Sequence, residues 1–234
     1  MSDEMPRQLS VIMPIYNEID TLREIVQRVA DVPMVKEIVA VDDGSTDGSR
    51  ELLQELSEAI PLLRPIFHEQ NSGKGAALRT GFETATGQVF IIQDADLEYN
   101  PKEYRVIIEP ILDGRADVVY GSRFLAGPRR VHLFWHAMGN RFLTLFSNML
   151  NNLCLSDMET CYKAFRSDVL DGIEIKSSCF MFEPEFTAKV AKKGCRIYEV
   201  PITYDGRSYD EGKKIGWRDG IKAIWAIIRF RIAD

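Results

Sequence analysis

Two hydrophobic rhythms alternate along the first half of the chain. Near-continuous apolar runs at residues 9–15, 37–41, 63–67, 88–93 and 117–120 have the length and branching of buried strands. Between them, apolar residues recur at helical spacing, as in Ile19, Leu22, Ile25, Val26 and Val29 before the break at Pro33. Asp43-Gly44-Ser45-Thr46-Asp47 reads as a turn, with Ser45 or Thr46 placed to cap a helix through Leu56. Further helices are predicted over 73–84 and from Pro101 through Leu112. Strands separated by helices of this length predict an α/β fold with a mostly parallel central sheet flanked by helices. Ligands of such sheets gather at the strands' carboxyl ends.

The pattern changes after residue 125. Residues 131–155 form a long apolar-rich segment, with Trp135, Met138, Phe142, Leu145, Phe146, Met149 and Leu153 at helical steps. It reads either as a surface on which a long apolar ligand lies or as ordinary core. A helix over 183–193 and a strand over 196–203 follow. In the tail, 216–234, Trp217, Ile221, Ile224, Trp225, Ile228 and Ile232 fall along one helical face with basic flanks, which predicts an amphipathic helix. A membrane surface, and a core-packing or dimer-forming contact, are equal readings of that face. No repeat and no Ser/Gly-rich linker divides the chain, so one domain is expected.

Composition narrows the partners. A net charge of -6 argues against nucleic acid. Yet Lys213, Lys214, Arg218, Lys222, Arg229 and Arg231 crowd the end of the chain against Asp219, a basic tail suited to anions. The four cysteines, Cys154, Cys161, Cys179 and Cys195, lack C-x-x-C spacing and read as reduced thiols. The start lacks a signal-type apolar region, and no apolar stretch approaches the ~20 residues needed to span a bilayer. The expected location is cytoplasmic, including the cytoplasmic face of a membrane.

The most informative chemistry is Asp94-Ala95-Asp96, directly behind the apolar run 89–92. In extended backbone, residues two apart share a side. Both carboxylates then reach one hard divalent cation, Mg²⁺ or Mn²⁺, with room left for phosphate oxygens. Pro14-Ile15-Tyr16-Asn17-Glu18 stands where a dinucleotide fold carries its glycine fingerprint. It reads as a flank for a flat base or as a turn with a helix cap. Asp42-Asp43 ends the second strand, where an acid holds a ribose or makes an Asx turn. Asn71-Ser72-Gly73-Lys74-Gly75 is a glycine-rich entry to a helix without the P-loop's G-K-[ST], and Lys74 is placed to face an anion.

In order and spacing these segments resemble family 2 glycosyltransferases, which have the GT-A (Rossmann-like) fold. The carrying strings are V-I-M-P-I-Y-N-E at 11–18, V-D-D-G-S-T-D-G-S at 41–49, N-S-G-K-G-A-A-L at 71–78 and Q-D-A-D-L-E at 93–98. Three more resemble the polyprenyl-phosphate (dolichyl-phosphate) hexosyltransferase branch. They are G-S-R-F at 121–124, D-M-E-T-C-Y-K-A-F-R at 157–166 and Y-D-G-R-S-Y-D-E-G-K-K-I-G-W at 204–217. The resemblance implies that Pro14, Tyr16, Glu18 and Asp43 line a nucleoside pocket. It implies that Asp94 and Asp96 hold the metal and donor diphosphate, with Glu98 a further candidate ligand, and that Arg123 and Arg207 face phosphates at the reaction centre. Residues 1–125 would be the nucleotide-sugar half, 126–215 the acceptor half and 216–234 the tail.

The implied reaction is inverting transfer of a hexose from a nucleotide sugar to polyprenyl phosphate. The metal stabilises the leaving diphosphate, and a phosphate acceptor needs an arginine clamp rather than a general base. Asp157 is expected either to orient an arginine or to cap a helix, and Glu159 and Thr160 to shape the acceptor site. The stretch 157–166 resembles glucosyl-type members more than mannosyl ones, which places UDP-glucose slightly ahead of GDP-mannose. Competing readings are a family 2 enzyme acting on a hydroxyl acceptor, which requires a base, and a non-catalytic nucleotide-sugar-binding protein, which predicts degenerate metal ligands.

Overall fold

The computed structural model describes residues 8–125, 130, 133–178, 181–206 and 217–233. Seven strands form one sheet: β1 (Leu9–Ile15), β2 (Val35–Asp42), β3 (Leu63–Phe67), β4 (Val89–Ile92), β5 (Val118–Ser122), β6 (Lys163–Arg166) and β7 (Ile197–Pro201). The helices are α1 (Ile19–Ala30), α2 (Ser49–Ala59), α3 (Lys74–Thr84), α4 (Tyr104–Leu112), α5 (Phe134–Asn151), α6 (Phe182–Lys192) and α7 (Trp217–Ile232). The sheet order is β3-β2-β1-β4-β6-β5-β7. Strands β3, β2, β1 and β4 are parallel, as are β5 and β7, while β6 runs antiparallel to both its neighbours.

The chain winds outward from β1 to β3 and then returns to lay β4 on the other side of β1. That reversal opens a crevice beyond the carboxyl ends of β1 and β4, where ligands of open α/β sheets bind. Because β6 is inverted, the segment that enters it, 157–162, reaches the sheet at this same edge. The apolar core runs from Leu9 to Ile227 and draws on both halves of the chain. In β2 the consecutive residues Ile38, Val39, Ala40 and Val41 are all buried, as expected where helices cover a parallel sheet on both faces.

Several details depart from the sequence reading. Neither Ser45 nor Thr46 caps α2: its N-cap is Gly48, and Ser45 Oγ instead accepts a hydrogen bond from Asn17 N–H. Strand β5 continues to Ser122 because it pairs with β7 along its whole length. Strand β6 gave no signal, being four residues long with a buried lysine as its first. Asp94 lies just beyond β4 and Asp96 in the turn that follows, so the strand itself carries neither. Residues 131 and 132 lie outside the described residues, and so do 207–216.

Helix α5 is the largest departure. Ordinary core is excluded for its main apolar face, because Trp135, Met138, Phe142, Leu145 and Met149 are exposed, whereas Thr144, Ser147 and Asn151 are buried. Leu143, Phe146 and Leu150 pack against the core from its sides.

At the end of the sheet opposite the crevice, Glu37 is buried on β2. Its carboxylate accepts from Ser10 Oγ at 2.6 Å, Thr86 N–H at 2.6 Å, Thr86 Oγ1 at 2.8 Å and Arg64. Burial opposes ionisation, but these donors outweigh it and hold the carboxyl down at about 2. Its folded value lies below its unfolded one, so its contribution is complete above the unfolded value and is lost as pH falls toward about 2. Glu37→Ala is expected to lower stability by about 2–3 kcal/mol at neutral pH, by leaving buried donors unpaired. Urea unfolding should show the gap to the wild-type protein shrinking as the solution is acidified.

Candidate functional site

The loops after β1 and β2 are knitted into one rim. Asn17 adopts φ 55, a left-handed conformation that asparagine tolerates, and its Oδ1 accepts from Thr46 N–H at 2.9 Å. Glu18 N–H donates to Ser49 Oγ and Ile19 N–H to Asp47 Oδ2. This rim leaves Tyr16 exposed, with Pro14 and Glu18 half-buried beside it. Three of the four residues predicted for the nucleoside pocket thus stand together at the mouth of the crevice.

Asp43 supports the next loop. Its Oδ1 accepts from Ser72 N–H at 3.0 Å and faces His68 Nδ1 at 2.8 Å, and its Oδ2 accepts from Gly73 N–H at 2.7 Å. Gly44, at φ 74, permits this approach: a Cβ there would meet Asn71 N at 2.7 Å. The carboxylate expected to meet a nucleoside thus also holds the glycine-rich loop. Asp42 makes an Asx turn to Ser45 N–H and pairs with Arg50.

That loop delivers Lys74 into the crevice. Its ammonium lies 3.0 Å from Asp94, 3.3 Å from Glu183 and 3.5 Å from the Cys161 sulfur. Burial opposes the charge, but the carboxylates of Asp94 and Glu183 outweigh it and hold the pKa well above its ordinary value. Lys74 thus ties the start of α3 to the β4 turn and to the start of α6. A second tie is backbone: Gly75 N–H donates to Ser178 O at 3.0 Å. A Cβ on Gly75 would come within 2.2 Å of Ser177 O, so only glycine fits that approach.

The Asp94-Ala95-Asp96 turn buries Ala95 and leaves both carboxylates half-buried. Thr21 Oγ1 clamps it by donating to Ala95 O at 2.7 Å, and Gln93 Nε2 donates to Asp94 O at 3.0 Å. Asp96 Oδ1 accepts from Glu98 N–H, and Leu97 between them holds φ 63, a strained conformation for a branched residue. Paired hard oxygens at a switch point fit Mg²⁺ or Mn²⁺ whose other positions take phosphate and water. No group of three metal-binding side chains forms among the described residues. Glu98, the further candidate ligand, accepts from Tyr204 Oη at 2.6 Å.

On the far side of the crevice, Arg123 and Asp157 form a bidentate pair, Nε to Oδ2 at 2.7 Å and Nη2 to Oδ1 at 2.8 Å. Asp157 also accepts from Arg123 N–H and Asn140 Nδ2. Burial pushes its pKa up, but Arg123 more than compensates and the carboxyl is lowered. Of the two roles open for Asp157, orienting an arginine is therefore the one it fills. The guanidinium lies 5.1 Å over the Tyr204 ring. Thr160 is buried and donates to Gly121 O at 2.7 Å, so it braces β5 instead of lining an open surface. Lys163 Nζ donates to the carbonyls of Met158 and Thr160, which shapes the turn holding Glu159. Glu159 Oε1 is buried with no hydrogen-bond partner, and burial, then the charge of Glu183, pushes its pKa up to about 8.

Arg207 lies outside the described residues. Glu183, Cys161, Lys163 and Tyr204 were not anticipated. Cys161, Lys163 and Tyr204 lie within the quoted strings at 157–166 and 204–217 without a role being assigned, and Glu183 meets Lys74 from far along the chain.

The model of the family described as Glycosyl transferase family 2 matches residues 10–173. The chain belongs to that family. This glycosyltransferase is 31% identical over 217 residues to the dolichol-phosphate mannosyltransferase of Pyrococcus furiosus, a match covering 89% of this chain but only 60% of that relative's length. It is 31% identical over 214 residues to the polyprenol monophosphomannose synthase of Mycolicibacterium smegmatis, covering 88% and 80% respectively. Against the undecaprenyl-phosphate mannosyltransferase of Micrococcus luteus it is 29% identical over 240 residues, covering 94% and 97%. The glucosyl-3-phosphoglycerate synthase of Mycobacterium tuberculosis, solved with Mn²⁺, uridine diphosphate and phosphoglyceric acid, superposes with TM-score 0.75 at 18% identity, covering 97% of this chain and 80% of that one. That likeness establishes the GT-A fold.

Two expected outcomes test this geometry. Gly75→Ala forces the α3 start off Ser177 and should cost about 1–3 kcal/mol in chemical denaturation. Glu159 has a raised folded pKa, so the native state holds a proton that the unfolded state has lost, and stability falls as pH rises from the unfolded value toward about 8. Glu159→Gln should flatten that dependence, and denaturation at pH values on either side of the window would measure it.

Proposed function

We propose that this glycosyltransferase moves a hexose from a nucleotide sugar to the phosphate of a polyprenyl phosphate, with inversion at the anomeric carbon. One observation carries the choice of acceptor. Asp157, the acid best placed to serve as a base, is buried and takes hydrogen bonds from Arg123 and Asn140. Glu159, its neighbour, is held neutral near pH 7 by its raised pKa and is a poor base there. A hydroxyl acceptor needs a base, whereas a phosphate monoester with second pKa ~6 is already anionic. The names of the three relatives support a polyprenyl-type acceptor and shift the donor reading from glucose toward mannose.

In this reading Pro14, Tyr16 and Glu18 bound the nucleoside, and Asp94 and Asp96 hold a divalent cation with the donor diphosphate. When bound, the metal supplies Lewis-acid stabilisation of the departing diphosphate. Lys74 orients Asp94 from behind and keeps the carboxylate pair from repelling itself out of register. Arg123, pinned by Asp157, offers a fixed positive group to the acceptor phosphate, and Arg207 is a second candidate for that clamp. The nucleophilic phosphate oxygen then attacks from the face opposite the leaving group.

A donor screen with Mg²⁺ and a short-chain polyprenyl phosphate, read as radiolabelled lipid product, tests the proposal. Transfer from GDP-mannose is the expected result, and product with no donor but UDP-glucose would reverse the sugar assignment. Asp96→Asn should lower turnover by at least about 100-fold with the fold retained by circular dichroism. Full turnover in that variant, or in chelator, would remove the metal role. Rapid transfer to a sugar hydroxyl with none to lipid phosphate would favour the hydroxyl-acceptor reading.

A further inference from the structure

Helix α5 is built the wrong way round for a helix surrounded by water. Stepping about 100° per residue, Asn140, Thr144, Ser147 and Asn151 share one side, and that side faces the protein. Thr144 Oγ1 accepts from Met158 N–H and donates to Asn140, and Asn151 Nδ2 donates to Ser147. The opposite side carries Phe134, Trp135, Met138, Phe142, Leu145 and Met149, all exposed, with Trp135 at 81% and Met149 at 71%. Helix α7 packs beside α5 and repeats the theme. It buries Ala223, Ala226, Ile227 and Phe230, and exposes Ile221, Trp225, Ile228 and Ile232 on its opposite side. An apolar surface on this scale marks an interaction site.

Charge selects the occupant. The chain as a whole is at -6, yet α5 contains Arg141 and neither Asp nor Glu. Helix α7 contains Arg218, Lys222, Arg229 and Arg231 against Asp219. Lys222 and Arg229 border the outward stripe on one side and Arg231 on the other, and the Arg229 guanidinium lies 4.8 Å over the Trp225 ring. Apolar side chains flanked by cations, with tryptophan at the boundary, suit the acyl–headgroup zone of an anionic bilayer. No helix among the described residues is long and apolar enough to cross one.

From this we infer that the outward face of α5 and α7 seats the protein in the surface of an anionic membrane and sets the reaction centre just above the lipid headgroups. The second half of the inference comes from α5 itself. Its inward face holds the acceptor side of the crevice, because Asn140 donates to the Asp157 that fixes Arg123. One helix diameter, about 10 Å, therefore separates the lipid-facing side chains from the arginine. A phosphate on a membrane-embedded chain meets that arginine without leaving the bilayer. This rests on the proposed lipid-phosphate acceptor, and it adds where the membrane sits.

Co-flotation of the full chain with vesicles tests it. Binding is expected to vesicles of phosphatidylcholine with phosphatidylglycerol, to weaken with salt, and to be weak on phosphatidylcholine alone. Phe142→Ser with Leu145→Ser and Trp225→Ser should abolish flotation. Lys222→Glu with Arg231→Glu should cut binding to the anionic vesicles by about fivefold per residue while sparing residual binding to neutral ones. Circular dichroism and transfer to a water-soluble short-chain acceptor should stay unchanged in both variants. Wild-type protein that fails to float on anionic vesicles overturns the inference, as does flotation indifferent to both variants. So does sedimentation as a dimer that the serine variant converts to monomer, since a second copy would then own the face. Flotation without transfer to any lipid phosphate would sink the acceptor assignment and leave the docking face standing, and transfer without flotation would do the reverse.

Discussion

A carboxylate sealed inside a protein demands a cation, and the pair formed by the buried Asp157 and the largely buried Arg123 organises the second half of this molecule. Three stretches of chain meet on it. Arg123 follows β5, Asp157 leads into β6, and Asn140 projects from α5 to share the carboxylate. Glu199 on β7 extends the network by accepting from the N–H groups of Ser156 and Asp157. Removing either partner would strand a buried charge, which costs several kcal/mol. The arrangement therefore endures, and with it the position of a cation at the edge of the crevice.

Lys74 does the same work on the donor side. Placed among Asp94, Glu183 and Cys161, it couples the turn behind β4 to α3 and α6. Burial keeps the thiol's pKa raised, so the sulfur sits there as a neutral neighbour. The two ion networks face each other across the 157–162 segment, one centred on the acids that would hold a metal and one on the arginine that would hold a phosphate. The crevice is thus polar and pre-ordered, and it backs onto a helix whose outer side is apolar.

Much of the first half was legible from the order of residues. Runs of branched apolar residues, interrupted at helical intervals, specified β1 to β5 and α1 to α4 nearly to their ends, because a strand buried on both faces leaves an unmistakable local signature. The motifs at 14–18, 41–49, 71–78 and 93–98 fall on loops at one edge of the sheet, as an α/β winding requires. Asp43 was singled out, but its hold on the next loop was not legible, since its partners Ser72, Gly73 and His68 lie a loop away. The resemblance offered Glu98 as a further candidate ligand beside Asp94 and Asp96, and its contact with Tyr204 beyond a left-handed Leu97 was not legible.

Local chemistry, then, was enough to determine the fold class and to place the candidate acids at one edge of the sheet. Each of these follows from periodicity or from neighbours within a few residues. Tertiary structure alone decided that Asp157 serves an arginine, that Lys74 answers to Glu183, that a four-residue strand runs backwards through the sheet, and that α5 turns its aromatics outward. The reason is common to all four: each depends on contacts between segments far apart in the chain, and hydrophobic spacing reveals that a helix has two unlike faces without saying which one the rest of the protein will cover.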